Sequence, residues 1–469
     1  LGQEKQRGAD EKQTLISHHA ERVRVMVVVP LMREGRDSVK SLAASRSDQA
    51  RFEEACGLAR AIDVDIVESR MLSVQAPRPA TLITSGKVDE LRQKIEQEHV
   101  DLVIVDHPLT PVQQRNLEKI WGAKVIDRTG LILEIFGRRA QTKEGVLQVE
   151  LAHLTYQKGR LVRSWTHLER QRGGSGFLGG PGETQIEADR RVLQSKINKL
   201  QRELEKVSKT RKLHRAQRQK TPAPVVALVG YTNAGKSSLF NALTGATVEA
   251  KDMLFATLDP TLRRVILPHG GTIILSDTVG FISNLPTHLV AAFRATLEEV
   301  LEADLILHVR DMSNPDSQAQ AQDVIEILDQ LGVKQSPTQG MIEVWNKIDL
   351  LNEAEKNQLE FQGTRGGTPT YLVSTVTGEG LQPLRLAIEH HIMGALKPRH
   401  ITLEPHEMAL MDWLYRHAGG AGEGSPSINR RDCEDGAIEL EFTLNDEDWG
   451  RFISMRSTFS NRPNGFSTL

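Results

Sequence analysis

Cysteine is nearly absent from this chain: there are two in 469 residues, Cys56 and Cys433. Thiols that few and that far apart build neither a disulfide framework nor a zinc cluster, so both read as ordinary core or surface thiols in a reducing compartment. A long apolar run is missing too. The most hydrophobic stretch, Val25 to Met32, contains Pro30 and falls well short of the ~20 residues that cross a bilayer, so no membrane span is expected. The N-terminal LGQEKQRGADEKQTLISHHAER has neither the apolar core of a secretory signal nor the acidic-poor character of a transit peptide, and a cytoplasmic location is expected. No sign of charge dominates. With 59 Lys plus Arg against 61 Asp plus Glu the net charge is -2, so any basic surface must be local. What is present, 26% charged and 39% hydrophobic residues, is the composition of a soluble globular protein. At roughly 150 residues per domain, the length corresponds to about three domains.

After a flexible N-terminus (1–22), residues 23–140 alternate between strand and helix patterns. Val23 to Pro30 is a continuous β-branched run, and a helical pattern follows around Phe52, Cys56, Leu58 and Ala61. Leu91 and Ile95 share a helix face, Asp101 to Asp106 reads as a buried strand, and a helix around Val112 to Trp121 precedes a strand near Val125. The expected product is a small α/β domain with a largely parallel sheet and no phosphate loop of its own.

Residues 141–222 change to helical stripes, with Leu147, Leu151, Leu154, Leu161, Trp165 and Leu168 on one run and Leu193, Ile197, Leu200, Leu204 and Val207 on a second. Between them lies GGSGFLGGPGETQ, residues 173–185, whose glycine content is expected to exclude helix, giving an antiparallel helical (coiled-coil) hairpin with a mobile loop. The local basic surface is here. Lys206, Lys209, Arg211, Lys212, Arg215, Arg218 and Lys220 run without one acidic residue, and Lys158, Arg160, Arg163, Arg170 and Arg172 lead into the glycine loop. Such a run is either a solvated helix face or a set of cations that displace counterions from RNA, with the loop fitting an irregular surface.

The chemistry sits in residues 223–397. The strand VVALVG runs into Gly230, Tyr231, Thr232, Asn233, Ala234, Gly235, Lys236 and Ser237, and Ser238 continues the following helix. This is G-x-x-x-x-G-K-[ST] in its strand, loop and helix setting. Amides of the loop and helix start would cradle the β-phosphate, Lys236 would bridge the β- and γ-phosphates, and Ser237 would ligate Mg²⁺. Asn346, Lys347, Ile348 and Asp349 end the strand MIEVW. The Asp349 carboxylate can accept from both the ring N–H and the exocyclic amine of guanine, a donor pair adenine lacks, which selects GTP and GDP over ATP. Asp277, Thr278, Val279 and Gly280 follow the strand GTIILSD, so that Asp277 would reach Mg²⁺ through a water and the Gly280 amide would sense the γ-phosphate. Phe255, Ala256, Thr257, Leu258 and Asp259 occupy the intervening polar connection, where the Thr257 hydroxyl could complete the Mg²⁺ shell, and Ser374, Thr375 and Val376 are placed to contact guanine from a loop.

Glutamine is absent where many GTPases use one to orient the attacking water: Phe281 follows Gly280. Either a partner supplies the missing group or another residue does. Asn233 has two readings, a ligand for a K⁺ ion acting in place of an arginine finger or a residue that suits a tight turn. Lys236, Thr257, Gly280 and Asn233 are the candidates for acting on the γ-phosphate.

GYTNAGKSSLFNALTG, FATLDPT, DTVGF and NKID, with GGSGFLGGPGETQIEADRR upstream, together resemble the HflX family of GTPases, and GPGETQ before a basic helix is the most specific part. The resemblance covers most of the chain. It implies a dedicated N-terminal domain joined to a Ras-like G domain, and binding to the large ribosomal subunit with separation of stalled or idle ribosomes. It also places the glycine loop toward the peptidyl-transferase RNA. Ser374-Thr375 departs from the commoner Ser-Ala pair. Residues 398–469 read as a small α+β appendage whose role the sequence does not reveal. The expected protein is a monomeric, Mg²⁺-dependent GTP hydrolase on the ribosome. Its rival is a GTP-switched scaffold that recruits a protein through the hairpin, and an ATPase is opposed by Asp349.

Overall fold

The computed structural model describes residues 22–32, 46–171, 181–218, 223–245, 254–255, 260–283, 299–333, 340–365, 367–394, 397–417, 428–433 and 436–460. The chain falls into two units, one made of Leu1–Ser38, Asp48–Ile135 and Arg160–Ser175, the other of Val39–Ser47, Phe136–Gly159 and Gly176–Leu469.

The first unit is built on four parallel strands, β1 (Arg24–Met32), β2 (Asp65–Val74), β3 (Leu102–Val105) and β4 (Lys124–Asp127), in the order β2-β1-β3-β4. Val25 to Val29 and Val103 to Val105 are buried, which is why these central strands are continuous apolar runs rather than alternating ones. The helix Pro111–Trp121 begins in a capping box between Thr110 and Gln113 and ends at the left-handed Gly122, so its limits are set locally. Strand β2 has no counterpart among the expected elements. It is the outer strand, only partly buried, and its Glu68 and Arg70 pair at 2.6 Å, so charges that guard a sheet edge masked its strand character.

The two long helices are Lys143–Gln171 and Pro181–Arg218. Ile197 and Leu200 are buried with Leu193 and Leu204 half-buried, as a helix stripe requires, and the Lys158 ammonium donates to Gln194 Oε1. The exclusion of helix from residues 173–185 is corrected at its far end, where Pro181 to Gln185 form the first turn of the second helix. Proline there has its φ preset and gives up no hydrogen bond, since the first amides of any helix lack an intrahelical acceptor. Residues 172–180 lie outside the described residues. The basic inventory also shifts. Arg160 does not face outward but pairs with the buried Asp127 at 2.6 Å, whereas Arg191, Lys196, Lys199 and Arg202 are exposed along the second helix, as are Lys206 and Lys209. The side chains of Arg163, Arg170, Arg211, Lys212, Arg215 and Arg218, with Arg172 and Lys220 entirely, lie outside the described residues.

The second unit contains a six-stranded sheet in the order β10-β9-β8-β5-β7-β6, with β5 at Val225–Gly230, β6 at Thr261–Ile266, β7 at Thr272–Asp277, β8 at Leu305–Asp311, β9 at Gly340–Asn346 and β10 at Thr370–Leu372. All neighbours are parallel except β6 and β7. Val226, Leu228, Leu239, Phe240, Leu275, Leu305, Leu307, Val344 and Leu384 form its core. Strand β5 lies between β7 and β8, so the chain order reverses around it. A crevice beyond the carboxyl ends of these strands is where such sheets bind ligands. This is the doubly wound α/β arrangement expected of a nucleotide-binding domain. The C-terminal segment adds an antiparallel sheet, β11 (Lys397–Leu403), β13 (Ile438–Leu444) and β12 (Asn429–Asp432) in that order, over a core including Leu403, Leu414, Leu440 and Phe452. It is α+β, as expected. Among the described residues no helix is long and apolar enough to cross a membrane.

Candidate nucleotide-binding site

The loop after β5 is folded by its glycines and its contacts. Gly235 sits at φ 90° immediately before the helix Lys236–Thr244, and a Cβ there would lie 2.2 Å from Asn346 Nδ2, so only glycine fits. No side chain caps this helix, which leaves its first amides for an anion. Tyr231, Thr232 and Ala234 are buried, while Asn233 is exposed and left-handed at φ 61°. Asparagine tolerates that conformation, which suits the tight turn, and its exposed side chain faces away from the packed interior.

Lys236 is buried and its ammonium donates to the Tyr231 carbonyl at 2.8 Å. Burial pushes its pKa down to about 8, against the opposing pull of the Asp277 carboxylate. A phosphate arriving beside it would restore the charge. The Ser237 hydroxyl donates to Asp277 Oδ2 at 2.8 Å, and Asp277 at the end of β7 is 1% exposed. A hydroxyl and a carboxylate under the phosphate loop are hard oxygen donors, too few to cage an ion by themselves but matched to Mg²⁺ that also keeps waters and phosphate oxygens. Ser238 is half-buried in the same helix turn.

The segment after β7 is stitched to the phosphate loop. Buried Thr278 donates to the Leu228 carbonyl at 2.5 Å, the Phe281 amide to the Gly230 carbonyl at 3.1 Å, and the Thr232 amide to the Phe281 carbonyl at 2.7 Å. A Cβ on Gly280 would stand 2.9 Å from Thr232 Cγ2 and 3.0 Å from Lys236 Nζ, so a side chain there would intrude on the lysine. Val279 is buried, and Phe281 is 1% exposed, with its ring in the interior rather than in place of a water-orienting group.

On the base side the expected residues meet. The Asn346 amide is fully buried; its Nδ2 donates to the Ala234 carbonyl at 3.0 Å and its Oδ1 accepts the Thr375 amide at 3.4 Å. Ser374 Oγ donates to Asp349 Oδ1 at 2.7 Å and accepts the Thr377 amide at 3.1 Å. Since Thr375 contributes its backbone here, replacing the commoner alanine costs nothing in this contact. Lys347 is held left-handed at φ 64°, with Nζ 2.8 Å from Asp311 Oδ2, and Ile348 is buried beneath. Asp311, at the end of β8, escaped the sequence reading because no motif marks it. Val376 stands in solvent at 83% exposure and is the member that the geometry supports least.

Of the remaining connection, Phe255 is buried at φ 57° with its ring edge-on to Phe136, centroids 4.8 Å apart, a packing contact rather than a phosphate ligand. Ala256, Thr257, Leu258 and Asp259 lie outside the described residues.

Family models match along the chain: "GTP-binding GTPase N-terminal" over residues 49–137, "GTP-binding GTPase Middle Region" over 139–218, "50S ribosome-binding GTPase" over 225–347 and "HflX C-terminal domain" over 362–452. GTPase HflX of Magnetococcus marinus is 55% identical over 336 residues, 72% of this chain and 76% of that protein. GTPase HflX of Escherichia coli is 42% identical over 404 residues, 86% of this chain and 92% of that protein. Among solved structures, a GTP-binding protein from Sulfolobus solfataricus in complex with GDP is 24% identical, with a TM-score of 0.42 over 78% of this chain and 98% of that one. A phosphate loop, a guanine-side cluster and relatives of this similarity lead to one conclusion: the chain is a GTPase and belongs to the HflX family.

Proposed function

We propose that this GTPase acts on the large ribosomal subunit and uses GTP to separate stalled or idle ribosomes. The observation that carries this reading is the match of residues 225–347 to a family described as a 50S ribosome-binding GTPase. It is supported by the exposed Arg191, Lys196, Lys199, Arg202, Lys206 and Lys209 on a helix that follows the glycine loop, in a chain whose net charge is only -2. Residues 23–140, 141–222, 223–397 and 398–469 serve as N-terminal, hairpin, G and C-terminal domains of a cytoplasmic monomer.

In the reaction, amides from Tyr231 to Ser237 hold the β-phosphate, and Lys236 spans the β- and γ-phosphates. Ser237, Thr257 and Asp277 would hold Mg²⁺, and the ion would neutralise phosphate charge as it develops. The Gly280 amide meets the γ-phosphate. Asp349 pairs with guanine, and Asn346, the Lys347 stem, Ser374 and Thr375 hold the base. With Phe281 turned inward, water is oriented by another group, and the ribosomal surface is the proposed source. Asn233, exposed in the loop, is the proposed K⁺ ligand. Hydrolysis faster in K⁺ than in Na⁺, and equal in both after Asn233→Ala, is the expected result; no preference in the unaltered protein would remove this assignment.

Co-sedimentation with purified large subunits tests the reading. Binding should be stronger with a non-hydrolysable GTP analogue than with GDP, and should fall steeply as salt rises, because released counterions drive it. Binding indifferent to nucleotide and salt would favour a protein-recruiting scaffold instead.

A further inference from the structure

Arg46 is far from the nucleotide motifs in sequence, yet it belongs to the same unit as the nucleotide site. Its guanidinium carbon lies 4.6 Å from the centroid of the Tyr231 ring, and Nη1 donates to the Tyr231 hydroxyl at 2.7 Å. Its Nη2 pairs with Asp323 on the helix Ser317–Leu331, and the arginine side chain is only 11% exposed. A planar guanidinium held by a carboxylate, a ring and a phenol oxygen has little rotational freedom, and its hydrogen bond to the phenol is charge-assisted.

The same phenol oxygen accepts the amide of Ser283 at 2.8 Å. Tyr231 is the second residue of the phosphate loop, and Ser283 lies three positions beyond Gly280. The hydroxyl therefore ties the loop that receives the phosphates to the segment that senses the γ-phosphate. A Cβ on Gly280 would stand 3.0 Å from Lys236 Nζ, so this segment passes in close contact with the lysine.

We propose that Arg46 is a positioning residue for GTP hydrolysis: through the Tyr231 hydroxyl it holds the segment after Gly280 where the Gly280 amide meets the γ-phosphate. This rests on the role given above to Gly280. GDP has no γ-phosphate, so the tie acts on GTP-state properties and leaves GDP binding nearly alone. Lysine in place of arginine keeps the charge but loses the fork that reaches Asp323 and the hydroxyl together.

The full-length protein tests this with Arg46→Ala, Arg46→Lys, Tyr231→Phe and the double variant Arg46→Ala/Tyr231→Phe, measured for kcat and for affinity toward GDP and a non-hydrolysable GTP analogue. Arg46→Ala should lower kcat and analogue affinity by about three- to tenfold, with GDP affinity changed by less than about twofold. Tyr231→Phe, which keeps the packed ring and removes only the oxygen, should reproduce the loss, and the double variant should be no worse than either single one. Arg46→Lys should not rescue. Equal losses of GDP and analogue affinity, unchanged kcat in Tyr231→Phe, or strictly additive effects would each overturn the inference. An unaltered protein that bound neither nucleotide would instead overturn the assignment of the site itself, which separates the two failures.

Discussion

The two sides of the nucleotide site are built differently. On the base side, side chains from three loops are already cross-linked: Asn346 reaches both Ala234 and Thr375, and Ser374 holds Asp349. On the phosphate side steric and main-chain constraints carry more of the structure, with Gly235 and Gly280 leaving no room for a Cβ and the Phe281 backbone bridged to Gly230 and Thr232, beside side-chain ties from Ser237 to Asp277 and from the Ser283 amide to the Tyr231 hydroxyl. A cross-linked polar pocket is already ordered, so on the proposed assignment of these residues to guanine, base recognition is set before the nucleotide arrives. Main-chain bridges between two loops break and re-form more readily than a buried polar network, so on the same proposed assignment the phosphate side registers nucleotide state.

Substitutions can break or sharpen this contrast. The largest effect should come from Lys236→Ala, since no other cation of the loop can neutralise the phosphates; kcat should fall by ~10²–10³-fold, and normal turnover would remove the phosphate assignment. Asp349→Asn should weaken GTP by about ten- to a hundredfold, the range for a hydrogen bond to a charged group, and move preference toward xanthine nucleotide, whose carbonyl replaces the amine. Competition binding with GTP and XTP measures it, and unchanged guanine selectivity would sink the contact. The pH dependence of nucleotide affinity is next. Lys236 in the empty site is protonated below about 8 and neutral above it, and bound phosphate favours the charged form. Above that pH binding must therefore take up a proton, and affinity should fall by up to about tenfold per unit as pH rises, a trend that titration calorimetry would read as proton uptake. Flat affinity between pH 7 and 10 would contradict a depressed lysine. The smallest effect should be that of Ser374→Ala, which leaves Asp349 in place but unsteadied: GTP and GDP should weaken together by about three- to tenfold, because the base side does not sense the third phosphate. A loss confined to GTP would blur the division between the two sides.

The parts legible in the sequence are those carried by short-range pattern. The phosphate loop could be read because a strand, glycines at fixed spacing and a helix lie within a few residues of one another, and β1, β3 and β5 because burial on both faces leaves continuous apolar runs. Edge strand β2 was not legible, since its charges suit solvent better than a core. Pro181 was misread because glycine density near it outweighed the ease with which proline opens a helix. Arg160 looked like an outward cation until Asp127, brought close by the fold alone, claimed it. Contacts such as Lys347 with Asp311, or Arg46 with Tyr231 at a separation of 185 residues, depend on the tertiary arrangement and leave no mark in any local window.

The central claim is that the chemistry of this site is completed by a ribosome. Initial rates of GTP hydrolysis with and without purified large ribosomal subunits, at low and moderate salt, test it most directly. A strong stimulation by the subunits that weakens as salt rises is the predicted result. Equal rates with and without them, from a protein that binds GTP normally, would contradict it.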